Sequence, residues 1–133
     1  MFIMGDVLSD ITNELETKGN SRLSNSLAGR IVSLSRAMKP YRYLINDQII
    51  EKEISPERGQ LLISLCKSNL NPSFFVDEIL QESDFTKSEL INASLRNVVL
   101  REIDLSYSNL AYSNLVNVDF RKATLMNTNL RKV

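Results

Sequence analysis

The segment from residue 83 to residue 130 places a large apolar residue at every fifth position without interruption. The residue two positions earlier is mostly small, and the residue one position earlier is mostly short and polar. An α-helix turns by about 100° per residue and a β-strand alternates between two faces, so neither buries every fifth residue on one side. The period therefore predicts a coil that changes direction every five residues and directs these side chains into a core: Phe85, Leu90, Leu95, Leu100, Leu105, Leu110, Leu115, Phe120, Leu125 and Leu130.

Three of these pentapeptides show the pattern most closely: Ala-Ser-Leu-Arg-Asn (93–97), Ser-Asn-Leu-Ala-Tyr (108–112) and Ser-Asn-Leu-Val-Asn (113–117). In this pattern the segment resembles the pentapeptide repeat family, whose motif is a small residue, then Asp or Asn, then Leu or Phe, then two variable residues. The resemblance covers about residues 82–132. It implies a right-handed quadrilateral β-helix, a solenoid with four pentapeptides per coil. About two and a half coils are then expected, with residues twenty apart stacked on one another.

Four valines and isoleucines depart from this motif. Val98, Ile103 and Val118 stand where the motif has a small residue, and Val99 stands where it has a short polar one. Since Val98 and Val118 are twenty residues apart, both fall on the same side of the coil. We expect the coil to widen locally there.

Residues 1–81 predict a helical region, so the chain is expected to be an α+β protein with two parts, 1–81 and 82–133. One helix is expected over residues 1–19, with Asp6 as its cap and Gly19 at its end. A second is expected over residues 21–38, ended by Pro40 and packed antiparallel to the first. Apolar stripes at helical spacing indicate buried faces, with an exposed partner-binding face as the alternative: Val7, Leu8, Ile11, Leu15, and Leu23, Leu27, Ile31, Leu34, Met38.

The segment between these helices and the repeat contains two further start signals. Residues 41–54 are rich in β-branched and aromatic residues around Asn46-Asp47, which predicts a small hairpin or an extended loop. Residues 55–57, Ser-Pro-Glu, are typical of a helix start, and that helix should reach about Lys67. A last short helix is expected from residue 72 or 73. It should cap the first coil, since a solenoid end otherwise exposes core residues and strand edges, through Phe74, Phe75, Ile79 and Leu80.

The composition excludes most kinds of catalytic site. The chain has no His, so a His base, a His-containing triad and a His metal ligand are all excluded. The single Cys66 excludes a zinc site of Cys and His ligands, and we expect it to be a buried thiol. Four scattered glycines form no phosphate-binding loop. No catalytic, cofactor-binding or metal-ligating residue is therefore predicted, and these charged residues are expected to be solvated: Glu51, Glu53, Glu102, Asp104, Arg58 and Lys67.

The net charge gives no reason to expect nucleic acid or an anionic membrane as a partner. Lys and Arg number 16, and so do Asp and Glu. No apolar run approaches the length of about 18 residues that crosses a membrane, so no membrane insertion is predicted. A lone cysteine fits a reducing compartment, and a cytoplasmic protein is expected.

Two surfaces of the repeat are candidates for binding. The two variable positions of each pentapeptide should face solvent, which places exposed aromatic and apolar side chains together on one face: Ile91, Tyr107, Tyr112 and Met126. On another side a basic strip could meet phosphates: Arg96, Arg101, Arg121 and Lys122. Scattered surface residues on a scaffold remain the alternative for both.

The resemblance carries functional expectations of its own. Acidic family members mimic DNA and bind type II topoisomerases, but residues 82–133 hold six acidic and seven basic residues, so this role is not favoured here. Family members also dimerise through C-terminal coil ends, and a homodimer of this kind is expected. Residues 39–43 and 55–59 resemble a segment preceding the repeats in some longer bacterial relatives, including membrane-anchored ones. The leading hypothesis is a non-enzymatic interaction or scaffold module with a protein partner; the alternative is a soluble regulatory or assembly domain of a membrane-anchored protein.

Overall fold

The computed structural model describes residues 4–42, 44–49 and 52–133. The first three residues of the predicted first helix, and Tyr43, Ile50 and Glu51, lie outside the described residues. The regular elements, in chain order, are α1 (Met4–Lys18), α2 (Asn25–Ala37), β1 (Leu44–Ile45), β2 (Gln48–Ile49), α3 (Pro56–Lys67), α4 (Pro72–Phe74) and a π-helical segment (Phe75–Leu80).

The first two helices form an antiparallel pair whose ends differ from the sequence prediction. Asp6 lies inside the first turn of α1, where an acid favours the helix dipole, so its expected role as cap is wrong. The start of α2 is four residues later than expected, because Ser24 is the cap and its Oγ accepts a hydrogen bond from the amide of Leu27 (3.1 Å). The carboxylate of Glu14 in turn accepts hydrogen bonds from the backbone amide and Oγ of Ser24, at 2.6 and 2.8 Å. These bonds join the C-terminal half of α1 to the start of α2.

The described residues of the segment 41–54 form a hairpin and not an extended loop. Strands β1 and β2 are antiparallel, with Leu44 opposite Ile49, and Tyr41 pairs with Ile54 further from the turn. Asn46 and Asp47 have φ values of +51° and +63°. Two-residue hairpin turns require such left-handed residues, and Asn and Asp adopt them more readily than most side chains.

The helical segments before the repeat begin at capping residues. Ser55 caps α3 through a hydrogen bond from the amide of Arg58 to its Oγ (3.1 Å), and Pro56 occupies the first helical position. Helix α3 ends before Asn69, whose φ is +52°. Asn71 caps α4, because its side chain accepts a hydrogen bond from the amide of Phe74. The chain then continues to Leu80 in a π-helical conformation, which the apolar spacing did not predict.

Residues twenty positions apart in the repeat lie next to each other on the same side of the coil. Parallel bridges join Glu89 to Asn109, Ser94 to Asn114, Val99 to Asp119, Asp104 to Thr124 and Asn109 to Asn129. Every fifth residue from Lys87 to Lys132 has a φ between +53° and +63°, and these residues form the corners between successive sides. The predicted stacking of residues twenty apart is therefore confirmed.

A residue just before α3 forms backbone hydrogen bonds with the edge of the first coil that faces away from the second coil. Ser55 forms a parallel bridge with Ser88, donates its amide to the carbonyl of Lys87 (2.7 Å) and accepts the amide of Glu89 (3.1 Å). Ser55 thus takes the place that a residue of a preceding coil would have. One turn later, a Cβ at Gly59 would lie only 2.0 Å from the carbonyl oxygen of Glu89, so α3 passes very close to the coil.

Burial of the central residues decreases along the repeat. The six from Phe85 to Leu110 are fully buried, in one cluster with the apolar residues of α1 to α4 and the π-helical segment. Leu115, Phe120 and Leu125 are half-buried. Leu130 is 43% exposed, so its prediction as a core residue is wrong. Side chains of the last coil have a neighbouring coil on one side only, whereas earlier ones are covered on both.

Candidate interaction surface

The two tyrosines of the predicted interaction face are corner residues of one coil. Tyr107 and Tyr112 both have a φ of +60°, the left-handed conformation that a bulky side chain adopts at a cost in energy. At this conformation their side chains are directed away from the core, and they are 51% and 59% exposed. The five-residue period brings them to adjacent corners.

The other two members of the face each lie one residue before a corner, in the two columns that contain the tyrosines. The amide of Tyr107 donates to the carbonyl of Met126 (2.8 Å), and the tyrosine hydroxyl lies 4.0 Å from the sulfur of Met126. Ile91 precedes Asn92, whose amide donates to the carbonyl of Ala111, the residue before Tyr112. Ile91 and Met126 are both about half exposed, at 46% and 58%. The face is therefore one pair of neighbouring columns with four exposed apolar or aromatic side chains.

The predicted basic strip contains an acidic residue that the sequence analysis did not include. Both Arg101 and Arg121 reach the carboxylate of Asp119, with Nε–Oδ2 and Nη2–Oδ2 distances of 3.3 and 2.8 Å. Hydrogen bonds from the side chain and backbone of Arg121 lower the pKa of Asp119 to about 2. Asp119 keeps its negative charge and offsets one of the four positive charges of the strip. Its position one residue before Phe120, twenty after Val99, was the available sequence signal.

The remaining members of the strip lie apart from this ion pair. The amide of Glu102 donates to the carbonyl of Arg121 (3.1 Å), which places Glu102 and Lys122 at the same column of corners. Arg96 is exposed at the preceding corner, beside Asn97. The four predicted residues therefore do not form an uninterrupted row of positive charge.

Arg58 is buried, and its predicted exposure is wrong. Only 3% of the residue is exposed. Its Nε donates to the carbonyl of Ser35 and its Nη1 to the carbonyl of Thr86, both at 2.9 Å, while Nη2 contacts Asp84 at 3.2 Å. Burial lowers the pKa of Arg58, and the charge of Asp84 opposes that shift. The guanidinium joins α2, α3 and the first coil, a set of acceptors that exists only in the folded chain.

The thiol of Cys66 and the carboxylates of Asp104, Glu102 and Glu53 are in environments that explain them without a catalytic role. Burial raises the pKa of the Cys66 thiol to about 12, so the thiolate that reacts is scarce at neutral pH. Asp104 is half-buried and not fully solvated as expected, because its carboxylate accepts the amide of Ser106 (3.0 Å) in a corner turn. Glu102, also half-buried, accepts a hydrogen bond from the side chain of Gln81. Glu53 is exposed and pairs with Lys87 at 3.5 Å.

Neither a metal centre nor a membrane-spanning helix is present in the described part of the chain. In residues 4–42, 44–49 and 52–133, no group of three or more His, Cys, Asp or Glu side chains could hold a metal ion. Within those same residues, every helix is too short or too polar to cross a membrane.

Comparison with known families gives one match, in the C-terminal part of the chain. The family described as Pentapeptide repeats (8 copies) matches residues 103–133. Neither the comparison with curated proteins nor the comparison with solved structures gave a significant match. The matched residues include the bridges of Asp104 to Thr124 and Asn109 to Asn129, so the family pattern and the twenty-residue stacking coincide. Residues 103–133 of this chain therefore match the pentapeptide repeat family in sequence and carry its repeat in the structure.

Proposed function

We propose that this chain is a non-enzymatic interaction module, in which a rigid solenoid presents the face of Ile91, Tyr107, Tyr112 and Met126 to a protein partner. Residues 82–133 form a right-handed quadrilateral β-helix in this proposal. Residues 1–81 cap its first coil through Ser55 and through the apolar residues of α4 and the π-helical segment. Pentapeptide repeats suggest an interaction or structural module, which supports this class of function. A cytoplasmic location belongs to the same proposal and rests on the single free cysteine.

The observation that carries the proposal is the placement of two tyrosines at left-handed corners. A residue other than glycine costs roughly 1–2 kcal/mol in this conformation, and asparagine tolerates it better than most. Asn occupies four of the ten corners, at residues 92, 97, 117 and 127. Tyr107 and Tyr112 bring no compensating burial, since both are more than half exposed. Large aromatic side chains held outward on a rigid backbone are the kind of residue that dominates protein interfaces.

A pull-down with matched variants tests the proposal. The intact chain, the Tyr107→Asn/Tyr112→Asn variant and the Lys122→Asn/Lys132→Asn variant are used as baits, and retained proteins are quantified by mass spectrometry. Both double variants place asparagine at two left-handed corners, but only the first removes the aromatic face. We expect a protein retained by the parent and the lysine variant to be lost from the tyrosine variant.

The stability of the tyrosine variant separates loss of contact from loss of folding. Relief of the left-handed strain should raise its free energy of unfolding by roughly 1 kcal/mol, measured by urea denaturation. If all three baits retain the same proteins, the tyrosine face is not the binding surface.

A second proposal, supported by a separate observation, is that two copies of the chain associate through the last coil. Leu130 is 43% exposed, and Leu115, Phe120 and Leu125 are half-buried on the same uncovered layer. Exposed apolar residues beside strand edges favour association. Light scattering should give a dimer mass for the parent and a monomer mass for Leu130→Lys. A monomeric parent at high micromolar concentration would contradict this assembly.

The DNA-mimic role has no support from the surface charges. The carboxylate of Asp119, one of six acids in the repeat, is bound by two arginines and cannot act as an isolated phosphate-like charge. No contact among the described residues favours the alternative of a domain from a membrane-anchored protein over a free module.

A further inference from the structure

A cavity of about 450 Å³ lies between the end of α3, the start of the π-helical segment and the corner at residues 96–97. One wall includes Leu65 of α3, Leu70 of the following loop and Phe75 of the π-helical segment, all three buried, and the other wall includes Val98 and Val99. The volume falls in the range of about 300–1,000 Å³ that small-molecule sites occupy. This cavity is at a different corner of the coil from Tyr107 and Tyr112.

The apolar wall on the repeat side exists because this pentapeptide departs from the motif. Val98 replaces a small residue and Val99 replaces the short polar residue found in the other pentapeptides. Both valines are only half-buried, although they pack against the core. The two valines therefore leave some apolar surface accessible on the repeat side of the cavity.

The cavity has a single charge. Of the residues that the structure describes, Arg96 is the only charged one in the lining, and none of their carboxylates lines the cavity. Arg96 is exposed, and within residues 4–42, 44–49 and 52–133 it makes no ion pair. The lining also contains the polar side chains of Asn69 and Asn97. A ligand complementary to it has a small apolar body that contacts the valines and one negative group, which a planar guanidinium can bind through two hydrogen bonds.

We propose that this cavity binds a small aromatic or branched apolar molecule with one carboxylate, whose body lies between Phe75 and Val99 and whose carboxylate contacts Arg96. The site is separate from the proposed protein-binding face, and its function does not depend on that face.

Two probes that differ only in the negative group test the site. The intact chain is titrated with 4-phenylbutyrate and with 4-phenylbutan-1-ol, and amide resonances are followed by NMR. We expect saturable shifts at residues 65–75 and 96–99, with the carboxylate bound about 1.4-fold to fivefold more tightly than the alcohol, the range for an exposed ion pair. Arg96→Gln should give the two probes equal affinities. Arg131→Gln, which removes an arginine from the equivalent position of another exposed corner, should keep the preference.

Three outcomes would overturn the proposal. The first is equal affinity of the two probes for the parent chain. The second is a preference that survives in Arg96→Gln. The third is a set of shifts that do not saturate, or that centre on residues outside the cavity.

Discussion

The first and last coils of the repeat share one motif and differ in how far it is buried. Leu90, Leu110 and Leu130 lie on the same side in three successive layers, because Glu89, Asn109 and Asn129 pair in series. Leu90 and Leu110 are 1% and 0% exposed, whereas Leu130 is 43% exposed. The motif therefore determines the direction of each central side chain, and the presence of a layer on both sides determines its burial.

The layer that covers the first coil does not itself belong to the repeat. Ser55 supplies the backbone pairing, Gly59 allows α3 to approach, and Arg58 binds the carbonyl of Thr86. The difference between the two coils is thus a difference between one coil end packed against helices and one uncovered. Four predictions test how much each contact contributes to that difference.

The largest effect is expected from truncating the same side chain in two layers. Leu110→Ala should lower the free energy of unfolding by about 2–5 kcal/mol, because it removes buried methyl groups and leaves a cavity. Leu130→Ala should lower it by less than about 1 kcal/mol, since its side chain is partly in water already. Urea denaturation of both variants measures the two values. Similar losses would mean that Leu130 is covered in solution, by a second copy for example.

The next effect concerns the charged link between the helices and the first coil. Arg58→Lys should cost about 2 kcal/mol, because an ammonium cannot reproduce the fork that reaches Ser35, Thr86 and Asp84 together. Arg36→Lys is the control. Arg36 also donates to a backbone carbonyl, that of Glu82, but its side chain is 60% exposed, and less than about 0.5 kcal/mol is expected. If the two substitutions have equal effects on stability, Arg58 does not contribute a special link between the helices and the first coil.

A smaller loss is expected from closing the approach of α3 to the coil. Gly59→Ala places a methyl group 2.0 Å from the carbonyl oxygen of Glu89, and the shift needed should cost about 1–3 kcal/mol. Gly29→Ala in α2 meets nothing within 4 Å and should add about 0.5–1 kcal/mol through helix propensity. Thermal unfolding of the two variants should therefore shift in opposite directions. A stabilised Gly59→Ala variant would show that α3 lies further from the coil.

The smallest effect should appear in the last coil and depends on pH. The folded pKa of Asp119 lies below its ordinary value, so its contribution to stability is complete above about pH 4 and is lost as the pH falls towards about 2. The difference in stability between the parent and Asp119→Asn should shrink over that window. When the same comparison is made in an Arg121→Gln background, the pH dependence should become weaker, since the hydrogen bonds from Arg121 are the main cause of the lowered pKa of Asp119. An unchanged dependence would point to another carboxylate.

Local patterns in the sequence were sufficient for the repeat and for most helix and turn positions. The five-residue period predicted the inward direction of the central residues, the resemblance to the pentapeptide repeat family implied stacking at twenty residues, and Ser55 with Pro56 predicted the start of α3. Each of these features is determined by residues that lie within a few positions of one another in the sequence. The predicted face of Ile91, Tyr107, Tyr112 and Met126 follows from the variable positions of the pentapeptides and the stacking at twenty residues. All four side chains are exposed, as expected for these positions.

The features that the sequence did not predict depend on contacts between distant segments. Arg58 finds acceptors on Ser35 and Thr86, which lie 23 and 28 residues away. The charge of the basic strip is reduced by Asp119, whose partners become clear only when side chains are placed. Leu130 was assigned to the core because the motif contains no information on whether a layer lies above it.

The pairing of Ser55 with Ser88 has a consequence for the order in which the chain folds. Each later coil pairs with residues twenty positions away, but the first must recruit a residue 33 positions earlier, and a longer loop is entropically costlier to close. We expect the helical region to form first and to pair with the first coil through Ser55, and later coils to add by nearest-neighbour growth. Contacts around Ser55 and Phe85 should accordingly form in the folding transition state, and those around Leu130 after it.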